Sequence, residues 1–332
     1  MNRERPISTV KALAAALAVQ LVVTASAAGG AGDGAERHVL LGDMLGKPRH
    51  YRVRTQDTLL DVARRFELGY TELIAANPKT DPWLPKPGTE LILPTGHLLP
   101  DAPRTGIIIN LADQRIYYFP PQGGAGKVAS FPVGIGKQGF KTPEGGTRIV
   151  RKRTDPYWIP PKSVRAEYPE LPKVVAPGPN NPLGAFALDL GWPSYVIHGT
   201  NIPWGIGRRV SRGCIRLYPE DIADLFSRVE LGTAITVVDQ PVKVGWSEGE
   251  LYVEIHPSQA QADEIENTGR FTPQRIPELE HKIVSAAGKH AKRLNWPAIN
   301  RAARERSGVP IRITLPAAAP ADGMAMDGMA MK

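Results

Sequence analysis

Short apolar runs, separated by glycine and proline, follow one another closely between residues 104 and 239. Residues 107–110 and 115–119 flank the turn sequence Leu-Ala-Asp-Gln and predict a β-hairpin. Further strands are predicted at 128–133, 147–152, 195–198 and 234–238, and Pro219 begins a helix that runs to Val229. The pattern predicts one mainly β domain over residues 104–239, with His198 at a strand end and Cys214 beyond a glycine-rich loop.

A second pattern covers residues 49–95. Tyr51 and Val53 alternate with polar residues, and an apolar run at 91–93 closes the segment, so both ends predict short strands. Between them Asp57 is the predicted cap of one helix, and Leu73 and Ile74 mark a second. The predicted order is strand, helix, helix, strand.

This βααβ segment resembles a LysM carbohydrate-binding module. The residues that carry the resemblance are Tyr51, Asp57, Thr58, Leu59, Ala63, Phe66, Leu73, Asn77, Pro87 and Gly88. The resemblance implies binding to glycan that contains N-acetylglucosamine. The alternative is an ordinary packed βααβ unit, because each of these residues also suits a structural role.

The remainder of the chain predicts a mixed α/β appendage and a tail. In residues 240–316 a hairpin turns at Glu248 and Gly249, helices follow at 277–291 and 296–305, and a strand follows at 311–314. We find no functional motif there. Residues 317–332 hold four methionines among Ala, Asp and Gly and predict disorder.

The first 27 residues indicate export. Basic residues flank an apolar stretch that ends in Ala25-Ser26-Ala27, as in a secretory signal peptide, and an uncleaved anchor is the alternative. Residues 28–48 include a Gly/Ala-rich stretch and are interpreted as a linker. We therefore expect a periplasmic protein.

The net charge is +8 for the whole chain, and loss of the signal segment removes three basic residues and one acidic residue to leave +6. In an exported protein this charge favours an anionic envelope polymer over nucleic acid as partner, although it also serves solubility.

The chain has a single cysteine, Cys214, sixteen positions after His198. An exported protein with one cysteine has no intramolecular disulfide, and an imidazole that takes the thiol proton makes a nucleophile. Gly213 permits close approach of substrate, and its amide and that of Cys214 are the predicted oxyanion donors. The carbonyl of Gly199 is the predicted partner that orients His198.

The sequence HGTNIPWGIGRRVSRGCIRLYPEDI is similar to the signature of L,D-transpeptidases, cysteine enzymes that cross-link peptidoglycan. The likeness covers residues 104–239 and implies the family's β-sandwich-like catalytic domain, with Cys214 as nucleophile, His198 as base and Ser211 as the motif hydroxyl. Many members have histidine where Arg212 stands and asparagine where Arg216 stands. We expect these arginines to lower the thiol pKa and bind a substrate carboxylate, or to pair with Glu220 or Asp221.

The resemblance implies acyl transfer from the diamino acid of a stem tetrapeptide, with release of D-alanine, to an amine. The amine belongs to another stem peptide or to the lysine of an outer-membrane lipoprotein. An L,D-carboxypeptidase or hydrolase that uses the same acyl-enzyme, and a non-catalytic wall-binding protein, remain alternatives. No cofactor, metal ion or nucleic acid is expected. For Arg208 and Arg209, beside the glycine-rich loop, solvent exposure is expected.

Overall fold

The computed structural model describes residues 38–121 and 127–316. The strands are β1 (His38–Leu41), β2 (Met44–Leu45), β3 (Arg49–Arg52), β4 (Glu90–Leu93), β5 (His97–Leu98), β6 (Gly106–Asn110), β7 (Arg115–Phe119), β8 (Lys127–Pro132), β9 (Ile135–Gly136), β10 (Gly145–Thr154), β11 (Phe186–Leu190), β12 (Val196–His198), β13 (Arg209–Ser211), β14 (Ile215–Arg216), β15 (Ala234–Val238), β16 (Val242–Ser247), β17 (Glu250–Ile255) and β18 (Ile311–Arg312). The helices are α1 (Leu59–Arg65), α2 (Tyr70–Ala76), α3 (Lys162–Glu167), α4 (Pro219–Arg228), α5 (Gln259–Thr268), α6 (Leu279–Ala287) and α7 (Trp296–Glu305). Within the described ranges, none of the helices combines the length and the apolar character needed to cross a bilayer.

One large sheet confirms the mainly β class. Its strand order is β14, β12, β11, β10, β15, β6, β7, β8, β1, β2 and β5. Side chains alternate between its two faces. On one face Ile107, Ile116 and Ile235 share a core with Leu225 of α4, and on the other Ile108 and Tyr117 pack with residues of β2 and β8. The β6–β7 hairpin predicted from the sequence is therefore buried on both faces, which explains its almost continuous apolar run.

The interpretation of residues 28–48 as a linker is wrong for its second part. Residues 38–41 form β1, which pairs with β8, and residues 44–45 form β2, which pairs with β5. Leu45 is fully buried there. The prediction extended the linker from the preceding Gly/Ala-rich stretch over the short apolar run at residues 39–41. The predicted signal segment and the predicted tail at 317–332 lie outside the described residues.

The βααβ segment folds as predicted, with β3 paired to β4 and α1 and α2 between them. One detail differs, because the cap of α1 is Thr58, whose hydroxyl accepts a hydrogen bond from Asp61 N, and not Asp57. The Asp57 carboxylate instead accepts hydrogen bonds from Arg54 N at 2.8 Å and Tyr51 Oη at 2.6 Å. Asp57 thus fixes the turn before the helix.

The C-terminal region contains the predicted β16–β17 hairpin and the predicted helix α7. Helix α5 was not predicted, because its sequence QAQADEIENT is mostly polar. Its Ile265 nevertheless packs into the core of the βααβ module, beside Leu73. The C-terminal region therefore contacts both other parts of the chain.

The loop that leads to Cys214 is held from two sides. Tyr70 N and Thr71 N of α2 donate to Ile206 O and Gly207 O, at 3.3 Å and 3.0 Å. From the other side, two carboxylates of α5 form ion pairs with arginines of the loop. Glu266 lies 3.2 Å from Arg208, and Asp263 pairs with Arg209. The expectation that these two arginines are solvent-exposed is wrong, since their side chains are only 13% and 6% exposed.

Candidate active site

Strand pairing brings Cys214 and His198 to one face of the sheet. Strand β12 runs parallel to β14, with Ile197 opposite Ile215 and His198 opposite Arg216. Ile197 and Ile215 are fully buried in the core on one face. Because successive residues of a strand point to opposite faces, His198, Arg216 and Cys214 point away from that core.

Cys214 follows a strained turn that few residues other than glycine can adopt. Gly213 has a φ of +103°, and a Cβ at this position would lie 2.8 Å from Cε1 of Tyr195. Thr142 Oγ1 donates to Gly213 O at 2.9 Å and accepts from Gly136 N at 3.2 Å. The turn is therefore fixed by packing and by hydrogen bonds before any substrate binds.

Ser211, the motif hydroxyl, was also a predicted substrate-binding residue, but its side chain belongs to this turn. It is buried, its Oγ donates to Cys214 O at 2.6 Å, and it accepts from Gly213 N at 3.1 Å. That second hydrogen bond occupies the Gly213 amide that we predicted as an oxyanion donor. Cys214 N has no hydrogen-bond acceptor among the described residues, which leaves it as the available donor.

Within the described residues, one ring nitrogen of His198 is hydrogen-bonded to the backbone and the other is not. Its Nδ1 lies 2.6 Å from Gly199 O, so this nitrogen carries the proton and donates to the carbonyl, as the sequence predicted for Gly199. The tautomer leaves the lone pair on Nε2. Burial, and secondly the charge of Arg216, lower the pKa of His198 to about 3. The imidazole is therefore neutral at physiological pH and ready to accept a proton.

The thiol is less acidic than the sequence suggested. Burial raises the pKa of Cys214, and this outweighs the opposing effects of the Val196 amide and of Arg216. Cys214 Sγ lies 3.6 Å from Ser194 O, to which the thiol donates. Arg216 does lower this pKa, as expected, but its effect is smaller than that of burial. The resting pair is a thiol and a neutral imidazole.

The two arginines of the signature differ in their surroundings. Arg212 pairs with Glu167 of α3 and its guanidinium lies 4.6 Å from the centroid of the Phe140 ring. Arg216 Nε is buried and has no hydrogen-bond partner among the described residues. Glu220, one of the predicted partners, instead pairs with Arg64 of α1 at 2.8 Å. Binding of a substrate carboxylate by either arginine stays a prediction.

Sequence reasoning missed two residues of the site. Thr142 lies in the segment GIGKQGFKTPEGGTRI, about seventy positions before the carbonyl that it binds. Tyr195 is the first residue of the predicted strand 195–198 and directly precedes β12, and its ring packs on Gly213 and, edge to face, on Trp192. The spacing of Cys214 and His198 gave no signal for either residue, because both act by contacting the turn that precedes Cys214.

One group of residues away from this site has the composition of a metal site. Ligand atoms of Asp113, Glu254 and His256 lie within 4.8 Å of one another. However, Lys243 Nζ lies 2.6 Å from an oxygen of each carboxylate. The lysine ammonium takes the place that a cation would need, so these residues form a buried ion-pair network.

Two family models match the chain. The model of the L,D-transpeptidase catalytic domain matches residues 104–244, and the model of the LysM domain matches residues 51–94. The chain is 38% identical over 261 residues to Probable L,D-transpeptidase YcfS of Escherichia coli, a match that covers 76% of this chain and 79% of the relative. The chain belongs to the L,D-transpeptidase family. It is an enzyme of the transferase class with an N-terminal LysM domain.

Other members of the L,D-transpeptidase family show the same likeness. Probable L,D-transpeptidase ErfK/SrfK of Salmonella typhimurium is 36% identical over 280 residues, which is 82% of this chain and 88% of that protein. Among solved structures, the catalytic domain of the Enterococcus faecium L,D-transpeptidase matches with a TM-score of 0.31 and 23% identity, over 42% of this chain and 99% of that domain.

Proposed function

We propose that this L,D-transpeptidase acts in the periplasm on peptidoglycan, with Cys214 as nucleophile and His198 as base. The observation that carries the proposal is the hydrogen bond that His198 Nδ1 donates to Gly199 O. It fixes the tautomer of the neutral imidazole and leaves the lone pair of Nε2 free to accept a proton. Since the pKa of the thiol is raised, the proton is transferred to His198 as the bond from Sγ to the substrate forms, and not beforehand.

The first step forms a thioester. His198 Nε2 takes the thiol proton while Sγ attacks the carbonyl between the diamino acid and the terminal D-alanine of a stem tetrapeptide. Negative charge develops on the carbonyl oxygen, where Cys214 N donates a hydrogen bond. The carbon–nitrogen bond then breaks, the imidazolium returns its proton to the nitrogen, and D-alanine leaves.

The second step transfers the acyl group to an amine. The amine attacks the thioester carbonyl, His198 takes its proton, the carbon–sulfur bond breaks, and the thiolate is reprotonated. An amine of another stem peptide gives a cross-link, and a lipoprotein lysine gives an attached lipoprotein. Water in the same position gives a tripeptide, the carboxypeptidase outcome.

The LysM domain is proposed to hold the enzyme on the glycan strand. Supporting this role, Trp83 and Leu84 are 55% and 82% exposed on the loop between α2 and β4, and Asp81 Oδ1 fixes that loop by accepting hydrogen bonds from both of their amides. Exposed aromatic rings suit the apolar faces of sugars. A purely structural module has no need of an apolar loop that faces solvent.

Incubation with disaccharide tetrapeptides, with and without a peptide that ends in lysine, separates the outcomes. We expect release of one D-alanine for each cross-linked dimer or lysine-peptide conjugate formed, as measured by liquid chromatography and mass spectrometry. Dimers identify stem peptide as acceptor and conjugates identify the lysine. Release of D-alanine with tripeptide as the sole other product would overturn the transferase assignment in favour of the carboxypeptidase. Absence of any product from a folded protein that still binds peptidoglycan would favour the wall-binding alternative.

A further inference from the structure

Arg209 connects the C-terminal region to the turn that precedes Cys214. It is the first residue of β13, and Ser211, the last residue of this strand, donates from its Oγ to Cys214 O at 2.6 Å. The Arg209 side chain is buried, and its Nη1 donates to Gln259 O at 2.8 Å and to the carboxylate of Asp263. Both acceptors belong to α5. A buried ion pair with the C-terminal region thus lies two positions along the chain from the hydroxyl that holds Cys214.

Strand β13 depends on outside support, because it forms little sheet of its own. Its three residues pair with the two residues of β9, in a separate two-stranded sheet whose register is irregular between Arg209 and Ser211. Two short strands are marginally stable unless a further strand or a helix packs on them. Helix α5 reaches β13 through the side chain of Arg209. The position of Ser211 is therefore expected to depend on this contact.

The polar residues of α5 supply the charges that the loop requires. Arg208 and Arg209 are adjacent, and the Nε atom of each is buried without a hydrogen-bond partner in the part of the chain that the structure describes. A buried guanidinium is destabilising unless a carboxylate pairs with it. Asp263 and Glu266 are three positions apart, which places them on one side of the helix, and each pairs with one of the arginines. The polarity of α5 is thus matched to the two arginines of the loop.

Helix α5 is itself fixed to the rest of the enzyme. Its Ile265 is buried in the core of the LysM domain. Gln259 Nε2 donates at 2.8 Å to Oδ2 of Asp239, which directly follows β15 of the catalytic domain. A helix anchored at these two points holds Asp263 in a set position, so that its contact with Arg209 can fix β13.

We propose that Arg209, held by Asp263, is a positioning residue for the nucleophile. The ion pair fixes β13, and Ser211 in turn fixes the backbone of Gly213 and Cys214, so that Sγ and the Cys214 amide are aligned with the substrate carbonyl. The inference rests on the proposed function, because it assumes that a stem peptide acylates Cys214. It assigns the C-terminal region a part in catalysis, since α5 supplies the carboxylate. A displacement of about 1 Å at a reacting atom lowers a rate by as much as about 10²-fold.

The alternative is that the ion pair only docks the C-terminal region on the catalytic domain. A docking role changes the melting temperature and leaves the chemistry of the folded protein unchanged. A positioning role lowers kcat for acylation at unchanged KM. It also spares alkylation of the thiol by iodoacetamide, a substitution at a saturated carbon that needs no oxyanion donor. Because Cys214 is the single cysteine of the chain, alkylation measures the reactivity of this thiol alone.

The test compares Asp263→Asn with Asp224→Asn. Asp224 is a matched control, because its side chain is 29% exposed, against 30% for Asp263, and it is paired with Arg228 in the catalytic domain. Acylation of Cys214 by a disaccharide tetrapeptide is followed by intact mass at a series of donor concentrations, which gives kcat and KM for this step. Asp263→Asn is expected to lower kcat about 10- to 100-fold, with KM and the alkylation rate within about twofold of the wild type. Asp224→Asn is expected to match the wild type.

Two further variants separate the charge from the fold. Asp263→Glu keeps the carboxylate and is expected to recover most of the wild-type kcat. Arg209→Lys keeps a cation but loses the planar guanidinium, and is expected to lower kcat by a smaller factor than Asp263→Asn does. Because both substitutions act on one contact, the double variant Arg209→Lys with Asp263→Asn should be no slower than Asp263→Asn alone. Thermal unfolding identifies the temperature at which every variant is folded, and acylation is measured there.

An Asp263→Asn protein that is folded and acylated at the wild-type rate would overturn the proposal and leave the ion pair a docking role. Acylation and alkylation that fall by the same factor would also overturn it, because alignment with the carbonyl is then not what has changed. Failure of the proposed function looks different, since the wild-type thiol is then alkylated by iodoacetamide but forms no acyl-enzyme with the tetrapeptide.

Discussion

His198→Gln is expected to lower the rate of acylation of Cys214 by about 10²- to 10⁴-fold near pH 7, the range that a general base contributes. The glutamine side chain keeps polar atoms in the space of the imidazole but accepts no proton at this pH. The effect is expected to depend on pH. Because burial and Arg216 lower the pKa of His198 to about 3, the imidazole is in its basic form throughout pH 5–8, and wild-type acylation should show no acid limb near 6.5.

The variant has to use the thiolate that forms without a base. Since burial raises the pKa of Cys214, the thiolate fraction is small and increases about tenfold with each pH unit below that pKa. The ratio of wild-type to variant rate should therefore fall as the pH rises. His281→Ala, an exposed histidine of α6, is the control and should leave the rate unchanged. A wild-type rate that titrates with a pKa near 6.5 would contradict the proposed state of His198.

Lys243→Met is expected to lower the free energy of unfolding by about 3–5 kcal/mol, because it leaves buried carboxylates without a counter-charge. Lys243 is fully buried, with Nζ 2.6 Å from Asp113 of the catalytic domain and 2.6 Å from Glu254 of the C-terminal region. Although burial opposes it, these two carboxylates raise the pKa of Lys243, so the ammonium is charged. At about 2–4 °C per kcal/mol, the melting temperature is expected to fall by roughly 6–20 °C.

Exposed Lys289 provides the matched control, and Lys289→Met should leave the melting temperature within about 1 °C, as is usual for surface substitutions. Combining Lys243→Met with Asp113→Asn and Glu254→Gln should recover part of the loss, because the unpaired charges are then removed. If Lys243→Met has the same melting temperature as the wild type, the network does not stabilise the contact between the C-terminal region and the catalytic domain in the way described.

Sequence patterns predicted the elements that a turn or a helix-start residue specifies locally. Glu248 and Gly249, both with positive φ, form the turn of the β16–β17 hairpin. Pro219 lies in the first turn of α4 and marks where that helix begins. Among the elements that the sequence did not predict, two share a reason. Helix α5 and strand β1 have little pattern of their own and owe their structure to partners far away in the sequence, the LysM core for Ile265 and β8 for β1.

Cys214 and His198 could be proposed as the catalytic pair from the sequence because both lie within one short signature. Their chemistry was less predictable. The raised pKa of Cys214 and the hydrogen bond from Gly213 N to Ser211 Oγ depend on packing that sequence spacing does not specify.

The most direct test of the central claim is the intact mass of the protein after incubation with a disaccharide tetrapeptide, followed by peptide mapping. The account predicts a transient mass increase equal to the donor less D-alanine, mapped to Cys214, labile to hydroxylamine as a thioester is, and absent from Cys214→Ala. The Cys214→Ala protein should melt like the wild type. An adduct that survives in Cys214→Ala, or that maps to another residue of the wild-type chain, would contradict it.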